Sequence, residues 1–381
     1  MLQHHHLSYN FYIFVMKRGL FAILISFVLL TGPASFASDK RKNIIIAGTC
    51  KNAQIWISAD NGKTWRLKKD ISKESPSQIC IFSLAYDSYH NSIVAGTFPN
   101  AQLWVSNDDG ETWRLKKDLS TVSSEIKYIR AIIFDSIANR LIAGTTSNGQ
   151  IWVSDDGGNT WTLKKDFSKG SPAPQSEVRS LAFDSYHNRL LAGTYPNCQI
   201  WASNDHGESW ILKKDISQVS PFQLRLSSLT FDSHHKRLVA GTGNIEGQIW
   251  TSSDGGDNWY LKMDLSKAIP PQPRVYRFTF DSRRNRIIAG TGYNQAQIWV
   301  SDDGGKNWTF KKQFNSLSTS ELATLSLIYD AQNDMLYAGT GDETGKIWSS
   351  KDGGENWRIN KDFSIESPPQ ISIFSLAVIN K

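Results

Sequence analysis

Apolar and polar positions along the chain group into short runs that return in sets of four. The set between residues 178 and 214 shows them cleanly: an A run at 178–184, B at 189–194, C at 199–203 and D at 210–214. Each run is rich in β-branched and aromatic residues and bounded by polar loops, which predicts short antiparallel strands. The A–B link, Asp184-Ser-Tyr-His-Asn188, is hairpin chemistry, because Asp and Asn bond their own backbone and tolerate the left-handed region. From the A-strand acid to the B-strand Thr is ten residues in all six complete sets, and this constant length fixes the register of the pair.

The C–D link is a motif, Ser-x-Asp-x-Gly-x-x-Trp, that begins at Ser58, Ser106, Ser154, Ser203, Ser252, Ser301 and Ser350. Its acids, Asp60, Asp108, Asp156, Asp205, Asp254, Asp303 and Asp352, lie 48 or 49 residues apart, and the 14 tryptophans keep the same period. Seven copies at such a spacing make a repeat protein. A structural role is expected for all seven acids: Ser and Asp bond within the turn, Gly takes a positive φ, and Trp packs the next strand. Calcium is not expected there, since the turns lack the alternating oxygen ligands and distal Glu of an EF-hand loop.

The termini predict how the repeats close. The repeating part begins at Asn43 in a B strand, 44–49, and ends with the A-type segment Ile373-Phe-Ser-Leu-Ala377, a match to Ile81-Phe-Ser-Leu-Ala85. If the last strand pairs beside the first, seven four-stranded sheets are complete and no terminal edge is left open. The expected fold is all-β: a seven-bladed β-propeller of antiparallel blades, closed by the C-terminal strand.

On these residues the chain resembles the BNR, or Asp-box, propeller families over residues 43–381. Sialidases in this group use six blades, xyloglucanase-type hydrolases two seven-bladed propellers, and sortilin-type receptors ten. A single exported seven-bladed ring looks most like the photosystem II assembly-factor family and its relatives. That resemblance implies a non-enzymatic binding or assembly role.

Composition adds a compartment. Lys17 and Arg18 precede an apolar run at 20–30 and small residues around Ser35 and Ala37, so residues 1–37 read as an export signal with Met16 as the better start. The apolar run is too short for a stable membrane span. Residues 38–381 then form a single domain with 40 basic and 36 acidic residues, a formal charge of +4. That mild excess in an exported protein, periplasmic or extracellular, argues against a nucleic-acid partner and for a protein or carbohydrate one. A monomer without cofactor or metal is expected. Of Cys50, Cys80 and Cys198, the pair Cys50–Cys80 is favoured because both fall in loops on one rim; three unpaired thiols are the alternative.

Alternating strands put A–B and C–D turns on one rim and B–C and D–A loops on the other. The first rim barely changes between repeats; the second does, so the binding face is placed there. Near the start of the A strands lie Arg130, Arg179, Arg225 and Arg277, with Phe82 and Phe374 beside them. A basic sector next to an aromatic one suits an anionic, partly apolar ligand or a protein segment. The competing expectation is that the arginines pair with loop carboxylates and the phenylalanines pack between blades. A glycoside hydrolase, sialidase-like or xyloglucanase-like, is the alternative function, with Glu246, Asp342, Glu343 and Glu321 as candidate acids, and a lectin stands between the two. Three further features read as structural. The Lys pairs ending D runs, from Lys68-Lys69 through Lys311-Lys312, protect exposed edges, the C-strand glutamines satisfy their own loop backbone, and the histidines of the A–B turns are too dispersed for a metal.

Overall fold

A computed structural model describes residues 43–169, 173–293, 295–314 and 321–380. The expected signal at 1–37 lies outside the described residues. Blade four is typical, with strands at Glu177–Asp184, Arg189–Tyr195, Gln199–Ser203 and Ile211–Asp215. Each is antiparallel to the next, in the register the constant turn predicts: Val178 faces Thr194 and Asp184 faces Arg189. The D strand starts one residue later than expected, because Trp210 is buried under the turn with its Nε1–H donating to the Gly207 carbonyl at 3.1 Å. A bulge at Arg179 interrupts the A–B register and turns that side chain inward.

Seven such blades form a propeller. Its closure is the strand exchange that the termini predict: Ser372–Asn380 pairs with Asn43–Cys50 from Asn43↔Asn380 through Cys50↔Ser372. Core residues sit between the blades, in seven clusters for seven interfaces. The cluster between blades three and four joins Ile142, Ile151 and Val153 to Val178, Leu190 and Trp201. The closing cluster joins Met335, Tyr337 and Phe363 of blade seven to Ile45, Ala47 and Trp56 of blade one. Burying these apolar faces is the main driving force for ring formation. Cys50 and Cys80 form a disulfide that ties blade one to blade two, while Cys198 is a buried thiol. No described helix is long and apolar enough to cross a membrane.

The motif turn is self-contained. In blade three, Ser154 Oγ donates to Asp156 at 2.9 Å and accepts from Gly158 N–H at 2.9 Å. Asp156 also accepts from the Thr160 amide at 2.8 Å and the Thr160 hydroxyl at 2.7 Å, and Gly158 holds φ at +90°. Both carboxylate oxygens are thereby engaged, as they are in the other copies.

Two expectations about side chains change. The C-strand glutamines bond mainly to side chains: Gln150 accepts from Trp152 Nε1–H at 3.1 Å and donates to Asp166 at 3.0 Å. Blade seven carries Lys346 at that position, and Trp348 Nε1 has no hydrogen-bond partner among the described residues. The paired lysines do more than guard an edge. Lys69, Lys117, Lys165, Lys312 and the single Lys361 each reach over the C-strand Trp of the following blade, as Lys69 does over Trp104 at 4.9 Å and Lys361 over Trp56 at 5.9 Å. The stem covers the indole and the charge meets the ring face, so the lysines help to join adjacent blades.

At the A–B and C–D rim, the lower one, the A strands of blades two to seven each end in a fully buried aspartate whose charge must be met. His90, His187 and His235 do this in blades two, four and five, each with Nδ1 at 2.7 Å from the acid of its own hairpin. Blade six uses Arg284 on Asp281 at 2.8 Å. Blade three has Ala138 in that place, and Asp135 is met by His206 of the next blade's motif at 2.7 Å. Asp330 of blade seven receives Asn333 at 2.8 Å and, across the closure, Asn43 at 2.6 Å.

Candidate binding site

The A strands line the central channel, and their bulged residues point into it. Counted in blade order from two to seven and then one, that ring reads Phe82, Arg130, Arg179, Ser227, Tyr276, Leu325 and Phe374. On the B–C and D–A rim the channel widens into a vestibule of about 500 Å³ lined by Phe82, Tyr128, Arg130, Arg179, Arg225, Arg274, Tyr276 and Phe374, among others. It continues inward to a smaller cavity of about 160 Å³ that Arg130, Arg179 and Arg277 share with Phe82 and Phe374. All six residues singled out in the sequence therefore meet in one continuous space. Arg225 is confined to the vestibule and Arg277 to the inner cavity.

How the arginines are held decides between the two sequence expectations. Arg179 pairs with Glu177, two residues away on its own strand. Among the described residues no carboxylate lies within ion-pair distance of Arg130, Arg225, Arg274 or Arg277. Three of these side chains are held by rings instead, while Arg277 donates to the Tyr276 carbonyl at 3.3 Å. Arg130 lies 4.7 Å from the Phe82 ring centre and 5.6 Å from Phe374. Arg225 lies 5.0 Å from Tyr195, and Arg274 lies 5.0 Å from Tyr276 and 5.4 Å from Tyr293. The Nε atoms of Arg130, Arg179, Arg225 and Arg274 are buried without a hydrogen-bond partner. A ring holds the guanidinium and leaves its Nε–H free for a ligand, although Arg274 also donates from Nη1 to the Tyr276 hydroxyl at 2.9 Å. The phenylalanines are both gate and packing, since Phe82 meets Phe374 at 4.5 Å and Phe98 at 5.8 Å.

Burial, and then the neighbouring charges of Arg179 and Arg277, push Arg130 well below the ordinary arginine range. Burial and Arg179 likewise push Arg277 down to about 10. Both stay protonated at neutral pH, so the channel holds positive charges that repel one another.

Sequence reasoning missed Arg274, Tyr128 and Tyr276. Arg274 and Tyr128 sit seven residues before their A-strand acids, a position that holds Cys80 in blade two and Ala323 in blade seven, so no repeat pattern marks it. Arg274 is drawn to the mouth by a close strand approach. It bridges to Gly243, where a Cβ would fall 2.4 Å from the Arg274 side chain.

Of the candidate hydrolase acids, Glu321 and Asp342 are partners in the strand register of blade seven. Glu246 sits in a blade-five loop near Gln223 and Gln248, and the Glu321 side chain lies outside the described part. Asp342 alone of the four lines the vestibule; burial raises its pKa, Arg274 opposes the rise, and Glu343 adds to it. The other carboxylate there, Glu177, is tied to Arg179 and belongs to blade four, three blades from Asp342 around the ring. A retaining or inverting pair needs two carboxyls ~5–9.5 Å apart across one bond, and Glu177 is already engaged by Arg179.

These features define a class: the chain is a β-propeller built of Asp-box repeats. The BNR/Asp-box repeat model matches residues 56–67, the first of the seven turns. No curated protein matches the sequence. Among solved structures, the xyloglucanase of Xanthomonas campestris is 16% identical with a TM-score of 0.59; the match covers 73% of this chain and 45% of that one, so the chain spans less than half of the enzyme. YCF48 from Cyanidioschyzon merolae is 15% identical with a TM-score of 0.52, over 74% of this chain and 85% of that one. YCF48 bound to D1 peptide is 14% identical with a TM-score of 0.51, over 79% and 91%. At such identities the likeness speaks for the fold.

Proposed function

We propose that this protein is an exported, non-catalytic scaffold that holds a protein segment at the vestibule on its B–C and D–A rim. The observation that carries the reading is the set of arginines at the mouth. Of five around the channel, four have no carboxylate partner among the described residues; aromatic rings hold three of these, Arg130, Arg225 and Arg274, and their Nε–H groups are left without a partner. Charged groups that stay buried without partners are costly, and a site that keeps them uses them on something that arrives. The surrounding loops expose Val122, Val219, Phe222, Ile245, Ile269 and Ile365, so the partner segment is expected to be acidic and flanked by apolar side chains. The solved complex of a similarly folded protein with a peptide supports the same kind of partner.

The test is capture from an envelope extract by the purified chain, beside an Arg225→Ser/Arg274→Ser variant shown to melt at the same temperature. Both residues line the vestibule and not the inner cavity. A protein retained by the parent and lost by the variant is the expected result. Equal retention by both would remove the mouth from the interaction, and retention of glycan alone would replace the protein partner with a carbohydrate. Hydrolysis remains the second reading because Asp342 has the raised pKa of a general acid. Turnover of β-glucan or sialylated substrate that is lost in Asp342→Asn would establish it.

A further inference from the structure

The inner cavity has a composition that neither packing nor the rim partner explains. Compare the residue four before the A-strand acid in each blade. Ser83, Ser180, Ser326 and Ser375 donate from Oγ to a backbone carbonyl of the neighbouring blade's A strand, at 2.9, 3.1, 2.9 and 3.0 Å. Ser228 accepts from the Phe278 amide at 3.1 Å. These bonds sew the inner strands together. Blade six has Arg277 at this place, and its guanidinium reaches only the carbonyl of Tyr276, at 3.3 Å. One layer outward, the bulged position is aromatic in blades two, six and one but is Arg130 and Arg179 in blades three and four.

Three departures from the repeat thus fall in two adjacent layers of the channel and converge on one cavity of about 160 Å³. Among the described residues only one carboxylate, Glu177, is paired with any of them. Burial and mutual repulsion act on Arg130 and Arg277, as described above. Replacing seam serines and ring aromatics with like charges is destabilising by itself, and only an anion entering the cavity reverses the sign.

We propose that Arg130, Arg179 and Arg277 form a binding site for a tetrahedral oxyanion, phosphate or sulfate, inside the propeller channel. The guanidinium is the side chain whose planar fork matches such oxygens two at a time. Phe82 and Phe374 wall one side and keep the Arg130 plane in place. Entry is from the vestibule, which shares Phe82, Arg130, Arg179 and Phe374 with the inner cavity. The site goes beyond the rim partner: it concerns a small ion, and its failure would leave the capture experiment untouched.

The test is calorimetric titration of the purified chain with inorganic phosphate, and separately with inorganic sulfate, at ionic strength held constant with sodium chloride. The diagnostic variant is Arg277→Ser, which installs the residue that five other blades carry at that place. Saturable binding of one ion per chain is expected, weakened about tenfold or more in the variant by loss of charged hydrogen bonds. The ion should also raise the melting temperature of the parent more than that of Arg277→Ser, which separates site binding from the general stabilisation that excluded salts give. Phosphate bound without sulfate, or the reverse, identifies which oxyanion the site takes. No saturable binding of either by the parent overturns the proposal, as does equal affinity in Arg277→Ser and in a second variant, Arg130→Gln.

Discussion

A single motif aspartate shows what the repeated turn contributes. Asp254 takes hydrogen bonds from Asn258 N–H at 3.0 Å, Asn258 Nδ2 at 2.7 Å and Ser252 Oγ at 2.7 Å. Partial burial works against its ionised form, but these bonds outweigh it and bring the carboxyl to about 2. Because the folded value is depressed, the stability it contributes is complete above the unfolded value near 3.9 and is lost as pH falls from there toward 2. The other six acids are lowered in the same direction for the same reason. Asp254→Ala is therefore expected to cost about 1 kcal/mol at pH 7, the usual effect of losing a turn cap. The gap between parent and variant melting temperatures should narrow between pH 4 and pH 2, and an unchanged gap would detach the effect from ionisation.

At the scale of elements, the exchanged strand is the piece on which the ring depends. Residues Ser372–Asn380 supply the inner strand of blade one, and Ile373 and Leu376 belong to the core that joins blade seven to blade one. Removing 371–381 opens that core and exposes the edge of Asn43–Cys50, whose residues are all buried in the closed form. The disulfide joins Cys50, the register partner of Ser372, to blade two, and it cannot replace the missing strand. The truncated chain is expected to melt far below the parent and to associate at micromolar concentration, as thermal unfolding and light scattering would show. A truncated form that melts like the parent would remove the closure from the stability of the ring.

At the scale of the whole molecule, mild net charge conceals a local field. The chain outside its expected signal carries only +4, yet five arginines crowd the channel and its mouth. Association with an acidic partner should accordingly slow as salt rises, mainly through the on-rate, because the field is screened over a Debye length of about 8–10 Å. Surface binding kinetics at 50 and 500 mM salt would measure this, and a salt-independent on-rate would argue for an apolar contact alone.

The blades, their strand order and their closure were legible in the sequence because a fixed period repeats every constraint seven times: Asp184 to Thr194 sets a register, and Ile373-Phe-Ser-Leu-Ala377 names its own place. The six residues of the mouth were legible as exceptions within that period. What was not legible depends on contacts between blades. Nothing in the Lys361 segment says that it will lie over Trp56, and Arg274 reaches the mouth only because Gly243 admits its backbone.

The buried acids of the lower rim add one more consequence. Where a hairpin carries its own His or Arg, the next blade's motif has a glycine against it: Gly157 by His90, Gly255 by His187, Gly304 by His235 and Gly353 by Arg284. Where the hairpin has only Ala138, the next motif brings His206 instead. The joints therefore come in kinds, with one His and Gly pairing shared by blades two, four and five. Moving blade three ahead of a glycine-bearing motif would strand Asp135, and placing His206 beside a histidine hairpin would set two rings in one space. Although the blades look interchangeable, these contacts restrict the orders in which they may be assembled.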